Sequence, residues 1–137
     1  MSVCPLLLAP ACHAHYPMSE YLHLRLFDEA GTYGYAAVAE REDCLELHLE
    51  MTRWGPQARR GLARDLEWLK ARARALGKLR ITGIRQEPGV PDGSLPRPDP
   101  RWPKFTRLYG FSGQCVLQAA FLELEPEASA PGEARPA

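Results

Sequence analysis

Cys44-Leu45-Glu46-Leu47-His48-Leu49-Glu50-Met51 and Leu79-Arg80-Ile81-Thr82-Gly83-Ile84 bracket the stretch whose reading decides the fold. In the first run apolar residues alternate with polar ones from Leu45 to Met51, the period of a half-buried strand. The short turn Trp54-Gly55-Pro56-Gln57-Ala58 leads into Arg59-Arg60-Gly61-Leu62-Ala63. A helix is predicted beyond it, because Leu62, Leu66, Leu69, Ala73 and Leu76 recur at i, i+4, i+7, i+11 and i+14. Gly77 stands where a left-handed helix C-cap belongs, and the Leu79–Ile84 run is a second strand. Strand, turn, helix and strand make a βαβ crossover, which requires a parallel pair and a right-handed connection.

The turn carries the chemistry. A helix N-terminus offers unpaired N–H groups and partial positive charge. Gly61 and Ala63 leave that backbone nearly bare, while Arg59, Arg60 and Arg64 add formal charge. Residues of these types in this order suggest an anion cradle, best suited to phosphate; an ordinary tight turn is the alternative.

The run Arg60-Gly61-Leu62-Ala63-Arg64-Asp65-Leu66, followed by Ala75-Leu76-Gly77-Lys78, resembles the acyl-CoA pyrophosphate segment of the GNAT superfamily of N-acetyltransferases. That pattern is Gln/Arg-x-x-Gly-x-Gly/Ala, and Gly61 and Ala63 fill its small positions. Ala58 stands where Gln or Arg is expected, with Gln57 one place early and Arg59 one place late. Downstream, Phe105-Thr106-Arg107-Leu108-Tyr109-Gly110-Phe111 is similar to the family's Tyr-x-x-x-Gly-Phe helix end, with Thr106 in the Tyr position. The resemblance covers residues 21–124. It implies an α/β (α+β) fold, with an antiparallel meander leading into the crossover to form a mixed sheet, and acetyl-CoA as co-substrate. Met51, Arg59, Arg60, Gly61, Leu62, Ala63 and Arg64 would bind that co-substrate, with the strand ends near Glu50–Thr52 and Ile81–Gly83 holding its pantetheine arm. Glu50 and His48, on one strand face, are the candidate bases; the wet face of a strand is the competing explanation for both. Thr106 replaces the family's usual general acid, and a threonine hydroxyl does not readily protonate a leaving thiolate.

Length and composition set the bounds. With 137 residues, 45% hydrophobic and 25% charged, one domain with a real core is expected. The formal net charge of zero hides a segregation. Residues 53–107 hold 14 Lys/Arg against 5 acids, whereas residues 1–52 hold 2 against 8 and residues 108–137 hold 1 against 4. The basic middle coincides with the phosphate turn, as a polyanionic cofactor would favour. No basic-aromatic pattern of a nucleic-acid reader accompanies it, so nucleic acid trails as a partner. Cys4, Cys12, Cys44 and Cys115 lack the spacing of a zinc site or a disulfide frame, and the Cys12-His13-Ala14-His15 cluster does not make a metal site expected. No segment approaches transmembrane length, so a cytoplasmic protein without membrane contact is expected, or a virion part if phage-encoded.

In chain order, residues 1–20 are irregular with a strand near Val3–Ala9, and strands follow at Tyr21–Phe27 and Tyr33–Arg41. Fewer than twenty leading residues cannot supply the first strand and two helices that normally wall the acceptor site of the resembling family. Residues 85–103 hold six of the thirteen prolines and form a stiff loop. A short helix from Trp102 to Tyr109, a strand from Cys115 to Leu124 and a disordered tail over 125–137 complete the expectation. Two functions stand open. One is an acyl-CoA-dependent N-acetyltransferase acting on a small-molecule or peptide amine. The other is a catalytically weak or inactive domain of the same fold with binding or structural duty, as a homo-oligomer or virion assembly partner. The enzyme stands ahead because a purely structural part would not retain a cofactor cradle.

Overall fold

The computed structural model describes residues 3–87 and 89–126. Five strands form one sheet in sequence order: β1 (Val3–Pro5), β2 (Tyr21–Asp28), β3 (Gly31–Glu40), β4 (Cys44–Met51) and β5 (Arg80–Gly83). The first four are antiparallel neighbours, and β4 and β5 are parallel. The crossover between them is helix α1 (Pro56–Ala75). The expected meander and βαβ unit are therefore both present, giving the mixed-sheet α+β class. Gly77, at φ +73°, closes α1 in the left-handed conformation that its side-chain-free Cα tolerates, and Lys78 N–H returns to Ala73 C=O at 2.9 Å.

One sheet face is apolar and packs on α1. Leu24, Leu26, Ala36, Val38, Leu45 and Leu47 meet Ala58, Leu62, Leu66, Leu69 and Ala73; of the stripe that the periodicity marks, only Leu76, just past the helix end, lies exposed. A register shift between Leu26 and Phe27 puts Leu26 opposite Gly34 and Phe27 opposite Thr32, leaving Tyr33 as the extra residue of a bulge. The bulge turns Tyr33 onto this face, where it is fully buried and donates its phenol to the Asp65 carboxylate. Burial, followed by that bond and the Asp65 charge, pushes the Tyr33 phenol far above its ordinary range.

The opposite face is polar and small: Tyr21, His23, Ala37, Ala39, Glu46 and His48. Residues 11–21 cover it through a single 3-10 turn, Ala11–His13, with no helix of the usual kind. After β5 the chain is irregular through residue 101, apart from Pro88, which lies outside the described residues, and then makes the short helix α2 (Trp102–Arg107).

Three expectations are corrected. The first strand is shorter, ending at Pro5. Helix α1 begins at Pro56, a full turn before the Gly61-Leu62-Ala63 motif, because a proline with preset φ suits the first helical position. Residues 115–124 form no strand; they run irregularly and exposed. The proposed disordered tail lies mostly outside the described residues, which end at Pro126.

Candidate functional site

The parallel pair sets up a slot. β4 and β5 stay in register from Cys44↔Arg80 to Leu47↔Gly83, and Ile84 N–H still reaches Leu47 C=O at 3.0 Å. Beyond that point β5 has ended while β4 continues through His48-Leu49-Glu50-Met51. The far end of β4 thus lacks a strand on its β5 side among the described residues. The loop from this end, Thr52–Gly55, delivers the chain into α1.

The start of α1 lies elsewhere than the motif indicates. Arg59 N–H donates to Gly55 C=O at 3.0 Å, the first bond of the helical ladder. The amides of residues 60–64 are therefore spent inside the helix, and those ahead of the ladder belong to Gln57 and Ala58, Pro56 having none. Gly61 has a different reason for its missing side chain. A Cβ there would sit 3.0 Å from the Tyr33 ring, so the glycine admits the bulged tyrosine between sheet and helix. Leu62, 2% exposed, is core. Arg59, Arg60, Ala63 and Arg64 are exposed, Arg64 beside Asp65 at 3.5 Å. Met51 packs partly buried against the core. Of the seven cofactor residues expected, the two arginines at 59 and 60 flank the helix start, while Gly61 and Leu62 face the sheet instead.

Along the slot, Leu47, Leu49, Leu62 and Leu66 form the floor, and Trp102, Phe105, Tyr109 and Phe111 of the α2 region lie over it. Phe105 meets Trp54 edge-on at 5.6 Å and Tyr109 at 5.2 Å. The space left is a cavity of about 20 Å³, room for about one water. Thr106 is buried; its hydroxyl lies 3.0 Å from Trp102 C=O and 3.2 Å from Pro103 C=O, and accepts from Gln114 Nε2 at 3.0 Å. It ties the helix together. Tyr109, one turn away, has its phenol raised by burial, an effect the Arg59 charge partly offsets.

His48 belongs to a second constellation, on the polar face. Cross-strand register sets Tyr21, Ala39 and Glu46 in one row and His23, Ala37 and His48 in the next. The alanines leave room for residues 13–16 to lie on the sheet. Tyr16 stacks on His48 at 4.2 Å, and its hydroxyl is 2.9 Å from His48 Nδ1. His48 Nε2 lies 2.7 Å from Glu46 Oε2, which also accepts from Tyr21 at 2.7 Å, while Arg41 donates to Oε1 at 3.2 Å. Burial opposes ionisation of Glu46, but the bonds from Tyr21, His48 and Arg41 outweigh it and hold the carboxyl at about 2. The anionic carboxylate fixes a proton on the His48 nitrogen facing it, Nε2, and the Tyr16 hydroxyl lies at Nδ1, so phenol, imidazole and carboxylate form one hydrogen-bonded chain. Burial and its bond to Glu46 push the Tyr21 phenol up to about 12.

His23 Nε2 donates to Tyr16 C=O at 2.9 Å, and His13 is buried over the same face. The Nδ1 atoms of both histidines are buried with no hydrogen-bond partner. Burial, with the neighbouring histidines, lowers His13 to about 4. Glu50 ends the same face of β4, exposed, and adds to the burial that raises the Cys12 thiol. His48 and Glu50 thus share a face but differ in access: both His48 nitrogens are engaged, and Glu50 meets solvent. No group of three or more His, Cys, Asp or Glu is placed to hold a metal among the described residues. Sequence reasoning missed Tyr16, Tyr21, Glu46 and Arg41, because only the register of β2, β3 and β4 reveals that they converge.

No protein-family model matches the sequence, and comparison with curated proteins yields no match. Solved structures do match. One described as a "probable acetyltransferase" aligns at a TM-score of 0.51 and 12% identity, over 80% of this chain and 71% of that one. Glucosamine-6-phosphate N-acetyltransferase from Arabidopsis thaliana aligns at 0.49 and 10%, over 77% and 69%. An aminoglycoside acetyltransferase from an uncultured soil metagenomic sample aligns at 0.45 and 18%, over 76% and 67%. The chain spans about two thirds of the length of these structures. At 12% identity the likeness to the first of these establishes fold alone, and the fold is GNAT-like.

Proposed function

We propose that this chain is an acyl-CoA-dependent N-acetyltransferase of trimmed form, acting on a small-molecule or peptide amine. The observation carrying the proposal is the parting of β4 from β5 after Leu47↔Gly83, at the end of β4 that leads into the start of α1. An unpaired strand edge offers backbone groups to the amide-bearing arm of an acyl-CoA. The Gln57 amide, with Arg59 and Arg60, offers a diphosphate a donor and countercharge. The fit is uneven along the slot. The helix start and the β4 edge suit the group, while the aromatic side chains of the α2 region fill the middle and must swing aside for the arm to enter.

Bound acyl-CoA supplies the thioester; transfer forms a C–N bond, breaks the C–S bond and releases a proton from the amine. Glu50, exposed at the end of β4, is the accessible group to take that proton. His48 has both ring nitrogens engaged, by Tyr16 and Glu46, and serves to order the polar face beside Glu50. A second reading, a binding or structural domain without turnover, is favoured by Thr106, whose hydroxyl is committed to holding α2 where a phenolic acid would be needed.

Titration calorimetry with acetyl-CoA tests the assignment. Binding is expected to weaken at least tenfold in Arg59→Glu/Arg60→Glu, and thiol release with an amine panel to fall at least tenfold in Glu50→Gln. Absence of binding removes the transferase reading; binding without thiol release leaves the second reading standing.

A further inference from the structure

Residues 11–20 lie on the polar face as a strap, and their attachment to it is thin. The strap's backbone bonds close on itself: His13 N–H on Pro10 C=O, Tyr16 N–H on His13 C=O and Glu20 N–H on Pro17 C=O, each at 3.0 Å. Its bonds to the sheet and the β3–β4 turn run through titratable or charged side chains. They are His23 Nε2 to Tyr16 C=O at 2.9 Å, the Tyr16 hydroxyl to His48 Nδ1 at 2.9 Å, and Arg41 to Glu20. The apolar core under α1 is built, among the described residues, without any of 11–20. The strap's own His13 is turned inward, 4% exposed, edge-on to Tyr16 at 5.4 Å and 6.3 Å from the His23 ring. Its Nδ1 is buried with no hydrogen-bond partner, and so is that of His23. Because His23 donates from Nε2, the Nδ1 of its neutral ring is a bare lone pair.

We propose that this strap is released by acid: when the His13 imidazole takes up a proton, residues 11–20 leave the polar face and uncover Tyr21, Glu46 and His48, while the sheet and α1 stay folded. A neutral His13 can keep Nδ1 as a lone pair. A charged ring carries N–H at both nitrogens, and the one at Nδ1 would be buried with nothing to accept it. A buried donor left unmade costs more when it is charged, and water satisfies it once the strap lifts. The groups around His13 are committed elsewhere. On β2, Tyr21 donates to Glu46 and His23 to Tyr16, with Arg25 and its β1 neighbour Cys4 one row on. β3 contributes Ala37 and Ala39 to these rows. On β4, Glu46 is shared among Tyr21, His48 and Arg41, and Glu50 stands exposed at the strand end, where its charge acts on the Cys12 thiol. On the strap, Glu20 is taken by Arg41, and His15 is exposed. Burial first, then His23, His48 and His15, accordingly hold His13 at about 4 against an ordinary 6.5. The released strap therefore binds the proton more tightly than the closed one. Closure is complete above about 6.5 and is lost as pH falls toward 4. The inference does not depend on acyl-CoA binding.

Amide exchange resolved by NMR on the full chain, at about pH 7 and about pH 5 and corrected for the intrinsic effect of pH, reads the outcome. The His13, Tyr16 and Glu20 amides are expected to lose at least tenfold in protection between the two conditions, while those of β3 and β4 hold theirs. In His13→Leu, or in His13→Phe should leucine loosen the strap at neutral pH, the loss is expected to shrink to within about twofold. Unchanged strap protection in the unaltered chain overturns the proposal, and means that the charged ring is accommodated by donating from Nδ1 to the lone pair of His23. Loss of β3 and β4 protection together with that of the strap overturns it as global unfolding. A loss that survives both His13 substitutions overturns it by assigning the proton to another group.

Discussion

The two faces of the sheet are built from different chemistry by the same strands. Toward α1, Leu24, Ala36, Val38, Leu45 and Leu47 bury apolar surface against a 20-residue helix. On the other side, His23, Ala37, Ala39, Glu46 and His48 lie under an irregular strap of residues 11–21. The first face owes its stability to area removed from water. The second owes it to hydrogen bonds among groups drawn from distant strands, and it carries the cost of the unpartnered Nδ1 atoms of His13 and His23. The apolar face therefore needs only the right period, whereas the polar face needs partners distant in sequence.

The largest effect should come from the apolar face. Leu45 is fully buried at the centre of the crossover, so Leu45→Ala should cost about 3 kcal/mol through lost transfer energy and the cavity left behind. Urea unfolding measures this, and a loss below about 1 kcal/mol would mean that the face is looser than its burial indicates.

Tyr33→Phe probes a polar contact set into that apolar face. The phenol donates to Asp65, which is 5% exposed. Without it, a buried carboxylate loses a donor at a cost of about 2 kcal/mol. An unchanged melting temperature would show that Asp65 is satisfied elsewhere, and would leave Gly61 as the only reason for the bulge at Tyr33.

This contrast explains how far the sequence could be read. The period of Leu62, Leu66, Leu69 and Ala73 was enough for α1 and its buried stripe, and alternation was enough for β2, β3 and β4. Gly61 was legible as a residue that must be small, but two causes produce the same glycine: an anion approaching the backbone, or a ring packed against it. The bulge that selects the ring lies 28 residues earlier, at Tyr33, and leaves no local mark. The Tyr16–His48–Glu46 chain was hidden for a similar reason. Glu46 and His48 look like a wet strand face until the alanines of β3 are placed between them and β2. Cys115–Leu124 is apolar enough to read as a strand, but a strand also needs a ladder partner, and among the described residues the segment takes none.

On the polar face, Glu46→Gln should cost about 1 kcal/mol, because an amide keeps one acceptor oxygen but loses the charge that three donors share. A spectral readout separates this from general loosening. Tyr21, held at about 12 by burial and by Glu46, should ionise nearer its ordinary value once that charge is gone. Ultraviolet titration of the phenols follows it directly, and a curve identical to wild type would detach Tyr21 from Glu46.

A further effect is one of pH, and it arises on the polar face. His13 is buried neutral, with a folded-state value near 4 against an ordinary 6.5. Between those limits the unfolded chain binds a proton that the folded chain refuses, so stability rises with pH through the window. The contribution is complete above about 6.5 and is lost as pH falls toward 4. Glu46, depressed to about 2, adds its own loss only below about 4.5, where the unfolded carboxyl begins to take up protons. His13→Leu should accordingly flatten the melting temperature between pH 6.5 and 4.5 by about 5 °C relative to wild type, while leaving the fall below pH 4.5 in place. Parallel curves for the two proteins across the upper window would mean that the strap accommodates a charged imidazole, and that the polar face tolerates solvent in a way the α1 face does not.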